Sequence, residues 1–456
     1  MTTSAFAKLD EKPFSRFHVL AMLTTGMGVF TDGYDLSSIG LVLPLCRASF
    51  GVDRMTGLQA GLLTGSALVG SVIGALLFGW LAQKGRKRFY GIDVGIMAAA
   101  AAMQAIAPNL WALIAIRFVL GIGVGADYVL SPTIMAEHAN VKDRGKKLGL
   151  GFGAMWNFGA IFAALVLVLL RRIGVSEDLQ WRIVLGFGAV PALSVLTLRR
   201  RMPETARYLA RVEGDAGKAR EVLEGITGAT VAAAPLTDRR AWRELMAKHA
   251  RWILGAALLW MIYDIVLYSE VLFGPSVIAA GLHLSEIAFT LVVYALLQTP
   301  ATFVGSLLVD RVGRRTLTAV GFGLCGIGLL GFAPLLGSAA SAPIATFALF
   351  ALFNISLSVG PGAISGAGLL GVELAPTRIR SVAQSITVVG GRAGAALAAF
   401  VFPVLLTAIG QTALLLVLAG VALFGAAVTF VAVPETARRS LEDINGDTDD
   451  AISARP

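Results

Sequence analysis

Polar and ionisable residues stand inside long apolar stretches of this chain, where such side chains are rare. Trp260, Asp264 and Tyr268 follow one another at intervals of four residues. A helical period of 3.6 residues places all three on one face. A carboxylate at membrane depth is costly enough to indicate a functional site. The trio is therefore predicted to bind a small polar solute and protons.

Other ionisable residues are expected near the same depth. Asp32 and Asp35 lie midway along the first apolar stretch, Asp127 along the fourth and Arg392 along the eleventh. Burial favours the neutral form of a carboxylate, and a neighbouring negative charge favours it further. The four aspartates, Asp264 included, are thus the predicted proton-coupling residues.

The same residues can bind an anion. Arg392 can offer two parallel donors to a phosphate or a carboxylate, and tyrosine and tryptophan side chains supply fixed donors. An anion cannot rest beside ionised aspartates, so anion and protons should bind together. The predicted substrate-binding residues are Asp35, Asp127, Tyr128, Trp260, Asp264, Tyr268 and Arg392.

Structural roles remain open for several of these positions. Asp32 or Asp35 could cap a helix break beside Gly33, and Arg392 could form a structural bridge to an aspartate. Arg117, at one end of its apolar stretch, is expected to reach the membrane interface. Trp156 and Asn157 could line a cavity or merely pack.

The composition indicates a protein of the lipid bilayer. Of 456 residues, 56% are hydrophobic and 15% are charged, and the mean hydropathy is +0.76. Twelve apolar stretches are each about long enough to cross a ~30 Å hydrocarbon core. They cover residues 17–45, 57–81, 89–107, 111–136, 147–170, 181–198, 252–275, 286–308, 316–336, 343–371, 382–408 and 411–433. The predicted fold class is an all-α membrane protein with twelve transmembrane helices.

The net charge of +9 does not indicate nucleic-acid binding, because the basic clusters follow every second apolar stretch. The positive-inside rule then predicts that these loops and both termini are cytoplasmic. Residues 1–16 lack a short apolar region with a cleavage site, so no signal peptide is expected.

Three motifs recur at nearly one offset along the chain. Gly85-Arg86-Lys87 returns as Gly313-Arg314-Arg315, Pro203-Glu204-Thr205 as Pro434-Glu435-Thr436, and Glu137 with Arg144 as Glu373 with Arg380. The repeat predicts two pseudo-symmetric six-helix halves that enclose a midplane site and rock against each other. The predicted domains are 1–198 and 251–436, with a cytoplasmic linker at 199–250 and a tail at 437–456.

These passages resemble a known family. The sequence 31–36 is similar to a first-helix signature, and 123–131 with Glu137 to a fourth-helix signature. Trp260, Asp264 and Tyr268 are similar to a seventh-helix trio that surrounds phosphate. Over nearly its full length the chain resembles the major facilitator superfamily, and within it the phosphate:proton symporters and the related sugar-porter and organic-acid symporter groups.

The charged residues of the repeated motifs are predicted to gate the protein rather than to bind solute. Ion pairs between them would bias the equilibrium towards the state closed to the cytoplasm. The predicted gating residues are Glu137, Arg144, Asp310, Arg314, Glu373 and Arg380. The first half has Leu81-Ala82-Gln83-Lys84-Gly85 where the family has an acidic residue, so one gating contact is expected to be absent there.

The chain also departs from the phosphate symporters in residues that those proteins use for the anion. It has Met155 or Trp156 in place of a glutamine, Pro361-Gly362 in place of an asparagine, and Arg392 in place of a lysine. These changes favour a ligand that is larger or more apolar than phosphate, such as a small organic acid. Sugar uptake is less attractive, because sugar porters carry paired glutamines in the seventh helix.

The sequence therefore predicts a proton-coupled symporter of phosphate or a small organic acid in the cell membrane. A sugar or polyol symporter, a proton-antiport exporter and a non-transporting sensor remain as alternatives. No enzyme motif, cofactor or metal site is expected, and the coupling ion is the proton. The expected partners are a small anionic solute, protons and the lipid bilayer, with no nucleic acid, and the protein is expected to be a monomer.

Overall fold

The computed structural model describes residues 6–51, 56–230, 237–337 and 341–447, and within these ranges the regular structure is helical. Nine stretches among the described residues are long and apolar enough to cross a membrane. They are Leu58–Lys84, Leu110–His138, Arg144–Arg172, Glu177–Arg201, Trp242–Gly281, Glu286–Val312, Arg314–Leu336, Pro343–Glu373 and Arg380–Ala432.

The helices are numbered in chain order. The N-terminal helices are α1 Ala7–Glu11, α2 Arg16–Ser49, α3 Gly57–Leu81, α4 Arg86–Phe89, α5 Ile92–Gln104, α6 Leu110–His138, α7 Arg144–Leu148, α8 Met155–Arg172, α9 Glu177–Phe187 and α10 Ala189–Arg201. Two short helices follow, α11 Ala206–Tyr208 and α12 Ala216–Thr227. The C-terminal helices are α13 Trp242–Phe273, α14 Ala279–Gly281, α15 Glu286–Leu291, α16 Thr299–Val312, α17 Arg314–Leu336, α18 Pro343–Leu357, α19 Leu369–Glu373, α20 Arg380–Ala432 and α21 Leu441–Asn445.

Helix α20 has 53 residues and would be about 80 Å long if it were straight, far longer than a bilayer is thick. The backbone of Gly410, with φ 78° and ψ 168°, is not helical and interrupts it. A glycine suits this position because a side chain at positive φ would clash with the backbone.

The helices pack in two groups. In the N-terminal group, α3 lies against α6, α2 against α8, and α5 against α6. In the C-terminal group, α13 and α17 both pack on α20. Glycines permit the closest approaches: a Cβ on Gly125 of α6 would stand 1.9 Å from the Ser71 carbonyl oxygen of α3. The glycine-rich run around Gly125 is therefore a helix-packing surface.

The groups meet along α20 and α3 and along α13 and α2. At one end of the bundle, α11 and α12 pack against α1 in a small separate core that contains Phe6, Leu9 and Leu223. We call this end of the bundle the linker end. Helix α10 continues to Arg201 and α13 already begins at Trp242, so the predicted linker is flanked by longer helices than the apolar pattern alone indicated. Residues 1–5, 231–236 and 448–456 of the predicted termini, linker and tail lie outside the described residues.

Candidate functional site

A small cavity of about 30 Å³ lies where the two helix groups meet. Five of the predicted substrate-binding residues line it. They are Tyr128 of α6, Trp260, Asp264 and Tyr268 of α13, and Arg392 of α20. Trp156 and Asn157 also line this cavity, together with Gln298 and Thr302. The side chains that could contact a solute thus come from both groups.

Three helices widen locally beside the cavity. π-helical turns span Gly149–Ala154, Val292–Gln298 and Ser358–Gly366, and each contains residues of the cavity wall. Such turns are rare, and they concentrate at functional sites because the extra residue redirects neighbouring side chains. Part of the cavity wall is therefore irregular helix, while Tyr128, Asp264 and Arg392 stand on regular α-helices.

Arg392 is the cation of the cavity. Its Nη1 donates to the Tyr268 hydroxyl at 2.5 Å and lies 3.6 Å from Oδ2 of Asp264. The guanidinium carbon stands 4.0 Å from the centre of the Tyr128 ring, close enough for a cation–π contact. Its Nε has no hydrogen-bond partner among the described residues. The guanidinium thus retains donor capacity for an anion.

A glycine of α20, Gly391, lets the Trp260 side chain of α13 pack closely against that helix. A Cβ on Gly391 would lie 2.5 Å from Cδ1 of Trp260, so only glycine leaves room for this indole beside Arg392. The Trp260 ring in turn packs against Tyr128 of the N-terminal group, with 6.0 Å between ring centres. The predicted common face of Trp260, Asp264 and Tyr268 is the face that borders the cavity.

Asp127 is paired with a cation that the sequence did not single out. Its Oδ1 lies 2.7 Å from Nη2 of Arg199 and accepts the Ser131 hydroxyl at 2.5 Å. Arg199 also pairs with Asp93 of α5. The basic run at 199–201 was interpreted as a loop at a helix end, but Arg199 is fully buried. Asp127 therefore belongs to an ion-pair cluster within the N-terminal group rather than to the residues that line the cavity.

Asp32 and Asp35 are both fully buried in α2, and neither carboxyl has a hydrogen-bond partner among the described residues. Asp32 interacts electrostatically most strongly with Asp127 and Arg392, and Asp35 with Arg117. The prediction for Arg117 was wrong: it does not reach the interface but is buried, and its Nε donates to the Leu63 carbonyl at 3.0 Å. The long side chain turns inward because acceptors are available there.

Sequence reasoning missed a further acidic residue in the membrane helices, Glu270. Glu270 of α13 is buried, and its Oε2 accepts from the Gln298 amide at 3.3 Å. The same Gln298 nitrogen donates to Asn354 Oδ1 at 2.9 Å. The rule that identified Asp264, a carboxylate inside an apolar stretch, would have found Glu270 too.

Tyr263 lies beside Gly362 and Gly366 in the cavity wall. A Cβ on Gly366 would lie 2.7 Å from this ring, and one on Gly362 would lie 3.3 Å from its hydroxyl. Gly362 still lines the cavity, and the Tyr263 ring takes up part of the space beside it, so the expectation of a larger or more apolar ligand stays a prediction. With Trp156 and Trp260, Tyr263 makes much of the wall aromatic.

The predicted gating residues form two clusters at the linker end. In the first, Glu137 Oε1 accepts from Arg86 Nη2 and Arg380 Nη1, both at 2.8 Å, and Oε2 accepts the Thr205 hydroxyl. In the second, Glu373 Oε1 accepts from Arg144 at 2.7 Å and from Arg314 at 2.8 Å.

In each cluster the glutamate also pairs with an arginine of the other helix group. Arg144 of the N-terminal group pairs with Glu373, and Arg380 of the C-terminal group pairs with Glu137. All four side chains are buried. These ion pairs join the two groups at the linker end.

Asp310 and Gln83 occupy matching places beside the clusters. The Asp310 carboxylate accepts from the backbone nitrogens of Gly145 and Lys146, at 3.1 and 2.8 Å, and pairs with Arg314 at 2.9 Å. Gln83 donates to the Ser381 hydroxyl at 2.6 Å. The contact expected to be absent from the first half is thus replaced by a neutral one.

No group of three or more histidine, cysteine, aspartate or glutamate side chains with the geometry for a metal ion occurs within the described ranges. The guanidinium of Arg392 has the charge and the free donor to bind an anion, and the Asp264 carboxylate beside it can accept a proton. The buried arginine–glutamate clusters can hold one end of the bundle together or release it.

A family model described as sugar (and other) transporter matches residues 21–447. Among curated proteins, the chain is similar to the inorganic phosphate transporter 1-11 of Oryza sativa subsp. japonica, with 32% identity over 96% of this chain and 89% of that protein. It is also similar to the probable inorganic phosphate transporter 1-6 of Arabidopsis thaliana, with 31% identity over 98% and 97%.

Among solved structures, the fold is similar to that of the major facilitator superfamily proton:xylose symporter XylE bound to 6-bromo-6-deoxy-D-glucose. The TM-score is 0.78 with 20% sequence identity, and the match covers 95% of this chain and 99% of that one. At this identity the likeness concerns the fold.

Proposed function

Because the chain belongs to the sugar (and other) transporter family of the major facilitator superfamily, whose members are transporters and not enzymes, we propose that it is a proton-coupled symporter of a small anion. It is a multi-pass membrane protein. The observation that carries the proposal is the pair formed by Arg392 and Asp264 in the wall of the central cavity.

This pair couples an anion to a proton. While Asp264 is ionised, it competes with an entering anion for the Arg392 guanidinium. Protonation of Asp264 removes that competitor, and the anion then provides the negative charge that a buried arginine requires. Binding of the anion therefore favours binding of the proton, and the reverse, which is the thermodynamic basis of symport.

The other predicted site residues have different parts in this scheme. Asp32 and Asp35 take up protons in the N-terminal half, since neither carboxyl has a partner among the described residues. Asp127 forms an ion pair with Arg199, and its affinity for a proton depends on the charge of the two α2 aspartates. The six gating residues, Glu137, Arg144, Asp310, Arg314, Glu373 and Arg380, close the cytoplasmic end of the site.

The transmembrane topology completes the proposal. Helices α2 and α5 each cross the bilayer, and α20 crosses it twice with its turn at Gly410. With the other apolar spans, this makes twelve helices in two six-helix halves, 1–198 and 251–436. The linker 199–250, the tail 437–456 and both termini are cytoplasmic. The protein is a monomer of the cell membrane and uses protons without another cofactor.

Inorganic phosphate is the leading substrate, because the similar curated proteins are named as inorganic phosphate transporters. A small organic acid is the second candidate, because Trp156, Tyr263 and Trp260 give the cavity an aromatic wall. Arg392 beside Asp264 suits an anion better than an uncharged sugar. Direction follows the gradients, so uptake is expected where protons flow inward.

The test is solute-driven proton entry into proteoliposomes that contain an internal pH dye. Phosphate, small carboxylates, aromatic acids and hexoses are added in turn at fixed membrane potential. Phosphate or one organic acid should acidify the lumen, and Asp264→Asn should abolish this while solute binding survives. The exposed Asp178, which pairs with Arg182 on the surface, provides the control variant Asp178→Asn, which should behave as wild type.

Two results would contradict the proposal. If no member of the panel moves protons although solute is bound tightly, the protein is a sensor or an uncoupled carrier. If Asp264→Asn transports with unchanged proton entry, Asp264 has a structural role only.

A further inference from the structure

Glu270 is a carboxylate that the mechanism above does not use. It lies six residues after Asp264 in α13, about 9 Å further along the helix axis and away from the linker end. Its side chain is 3% exposed. Burial of this kind is costly for an ionised carboxylate unless a cation or several donors compensate it.

The surroundings of Glu270 are neutral. Its Oε2 accepts one hydrogen bond, from Gln298 at 3.3 Å, and Oε1 has no partner among the described residues. Asn354, the second partner of the Gln298 amide nitrogen, also interacts with the carboxyl. The titratable groups that interact with it are Tyr294, Tyr263 and Cys325, and within the described part of the chain no lysine or arginine forms an ion pair with it.

Asp264 shows the contrast within one helix. Its carboxylate lies 3.6 Å from Arg392, so its negative charge is compensated in this conformation. Glu270 has amides where Asp264 has a guanidinium. A protonated carboxyl suits that setting, because its neutral form needs no cation and its hydroxyl can donate to an amide oxygen such as that of Asn354.

Gln298 connects Glu270 to the cavity. It lines the cavity together with Asp264 and Arg392, while its amide nitrogen bonds both Glu270 and Asn354. A solute that accepts a hydrogen bond from this nitrogen would draw it away from the carboxyl. The occupancy of the cavity therefore changes the hydrogen bonding of Glu270 without direct contact.

We propose that Glu270 is a second proton-binding site of the C-terminal group, coupled to the solute through Gln298. The inference rests on the proposed proton symport. Glu270 holds a proton on its carboxyl in the conformation described here, and the proton returns to water when the cavity opens on the other side. One O–H bond forms on uptake and breaks on release, and no other bond changes.

The first test measures protons moved per phosphate in proteoliposomes, from the internal pH dye and labelled phosphate in the same sample. Glu270→Gln should still transport phosphate but with fewer protons per phosphate than wild type, and Glu270→Asp should restore part of the difference. The matched control is Glu177→Gln, at an exposed helix start. A ratio in Glu270→Gln equal to that of wild type would overturn the proposal.

A second measurement does not depend on transport. Infrared difference spectra between acid and alkaline pH should contain the C=O band of a protonated carboxylic acid that Glu270→Gln loses and Glu270→Asp shifts. The band should persist in Glu177→Gln. If wild-type protein moves no solute, the proposed function fails while this band still reports on Glu270. A wild-type spectrum that Glu270→Gln leaves unchanged would overturn the assignment itself.

Discussion

The two charged clusters at the linker end have the same arrangement of ion pairs but differ in the hydrogen bonds beside them. Glu137 and Glu373 each bind one arginine of their own helix group and one of the other. Beside the second cluster, the Asp310 carboxylate receives two backbone N–H groups at the start of the helix Arg144–Arg172. Beside the first, Gln83 makes a single neutral hydrogen bond with Ser381.

The first cluster has a support that the second lacks. Arg207 binds Glu442 at 2.7 Å and Asp10 at 2.8 Å, and it donates to the Glu137 carbonyl at 2.6 Å. Its repeat counterpart Arg438 donates to the Asp310 carbonyl at 3.0 Å. The tail contacts both clusters, because Arg439 and Asn445 hydrogen-bond Arg144 and the Glu373 carbonyl. The first cluster differs in its added ion pairs to Asp10 and Glu442, and the second in the Asp310 carboxylate at a helix end. The two copies of the repeated motif thus share the glutamate–arginine ion pairs but differ in the residues that contact them.

Loss of the Glu373 carboxylate should have the largest effect on this arrangement. Glu373→Gln leaves Arg144 and Arg314 buried with reduced charge compensation, which costs about 3–5 kcal/mol when a buried ion pair is broken. The linker end should open. Spin labels at Lys84→Cys and Arg311→Cys, one in each group, should move apart, and the thermal unfolding temperature should fall. If the label distances match those in Glu177→Gln, the second cluster does not hold this end closed.

The support that differs between the clusters should have a smaller effect. Asp310→Asn removes a negative charge from a helix N-terminus and from Arg314, an interaction of about 1 kcal/mol. The labelled pair should shift partly towards the open distance. The reciprocal variant Gln83→Glu places a carboxylate beside Ser381 and should shift the distance the other way. Equal behaviour of the two variants would show that the charge at this place does not matter.

The support of the first cluster should depend on pH. Burial, together with Glu442 sharing the same arginine, raises the pKa of Asp10 from 3.8 to about 6 against the opposing effect of Arg207. Arg207 holds the pKa of Glu442 at about 2 despite its burial. Because the folded protein binds a proton on Asp10 more tightly than the unfolded chain, this stabilisation is present below pH 3.8 and is lost as pH rises to about 6.

Asp10→Asn should therefore remove a decline in stability over that pH window. Thermal unfolding in detergent at several pH values measures it. Glu442→Gln should act in the opposite sense and should destabilise the protein most above pH 4.5, where the ordinary carboxyl is ionised. If the unfolding temperature of Asp10→Asn depends on pH as that of the wild type does, Asp10 does not titrate between pH 3.8 and about 6.

Several features of the site followed from the sequence for simple reasons. The interval of four residues between Trp260, Asp264 and Tyr268 predicted a common face, and that face borders the cavity. The pair Gly390-Gly391 before Arg392 also favours close approach of neighbouring helices, because glycine has no side chain, and Trp260 lies against Gly391. These predictions depended on helical periodicity and on residue size, both of which are local properties.

Other predictions failed for long side chains that can point either to the surface or into the protein. Arg117 was expected at the membrane interface and Arg199 in a loop, yet both are buried. Each turns towards acceptors on other helices, the Leu63 carbonyl for one and Asp93 with Asp127 for the other. The position of a residue along its helix does not reveal which neighbouring helix its side chain will meet.

The amino-acid sequence by itself determined the apolar spans, the repeat and the set of ionisable residues placed within the bilayer, because hydropathy and helical period act along the chain. Only the tertiary structure decided the partners: that Asp264 meets Arg392, that Glu270 meets amides, and that Arg144 and Arg380 cross to the other group. An ion pair or a hydrogen bond forms over a few ångströms, here between residues from 28 to 243 positions apart. Their distances therefore follow from how the helices pack and not from their spacing in the chain.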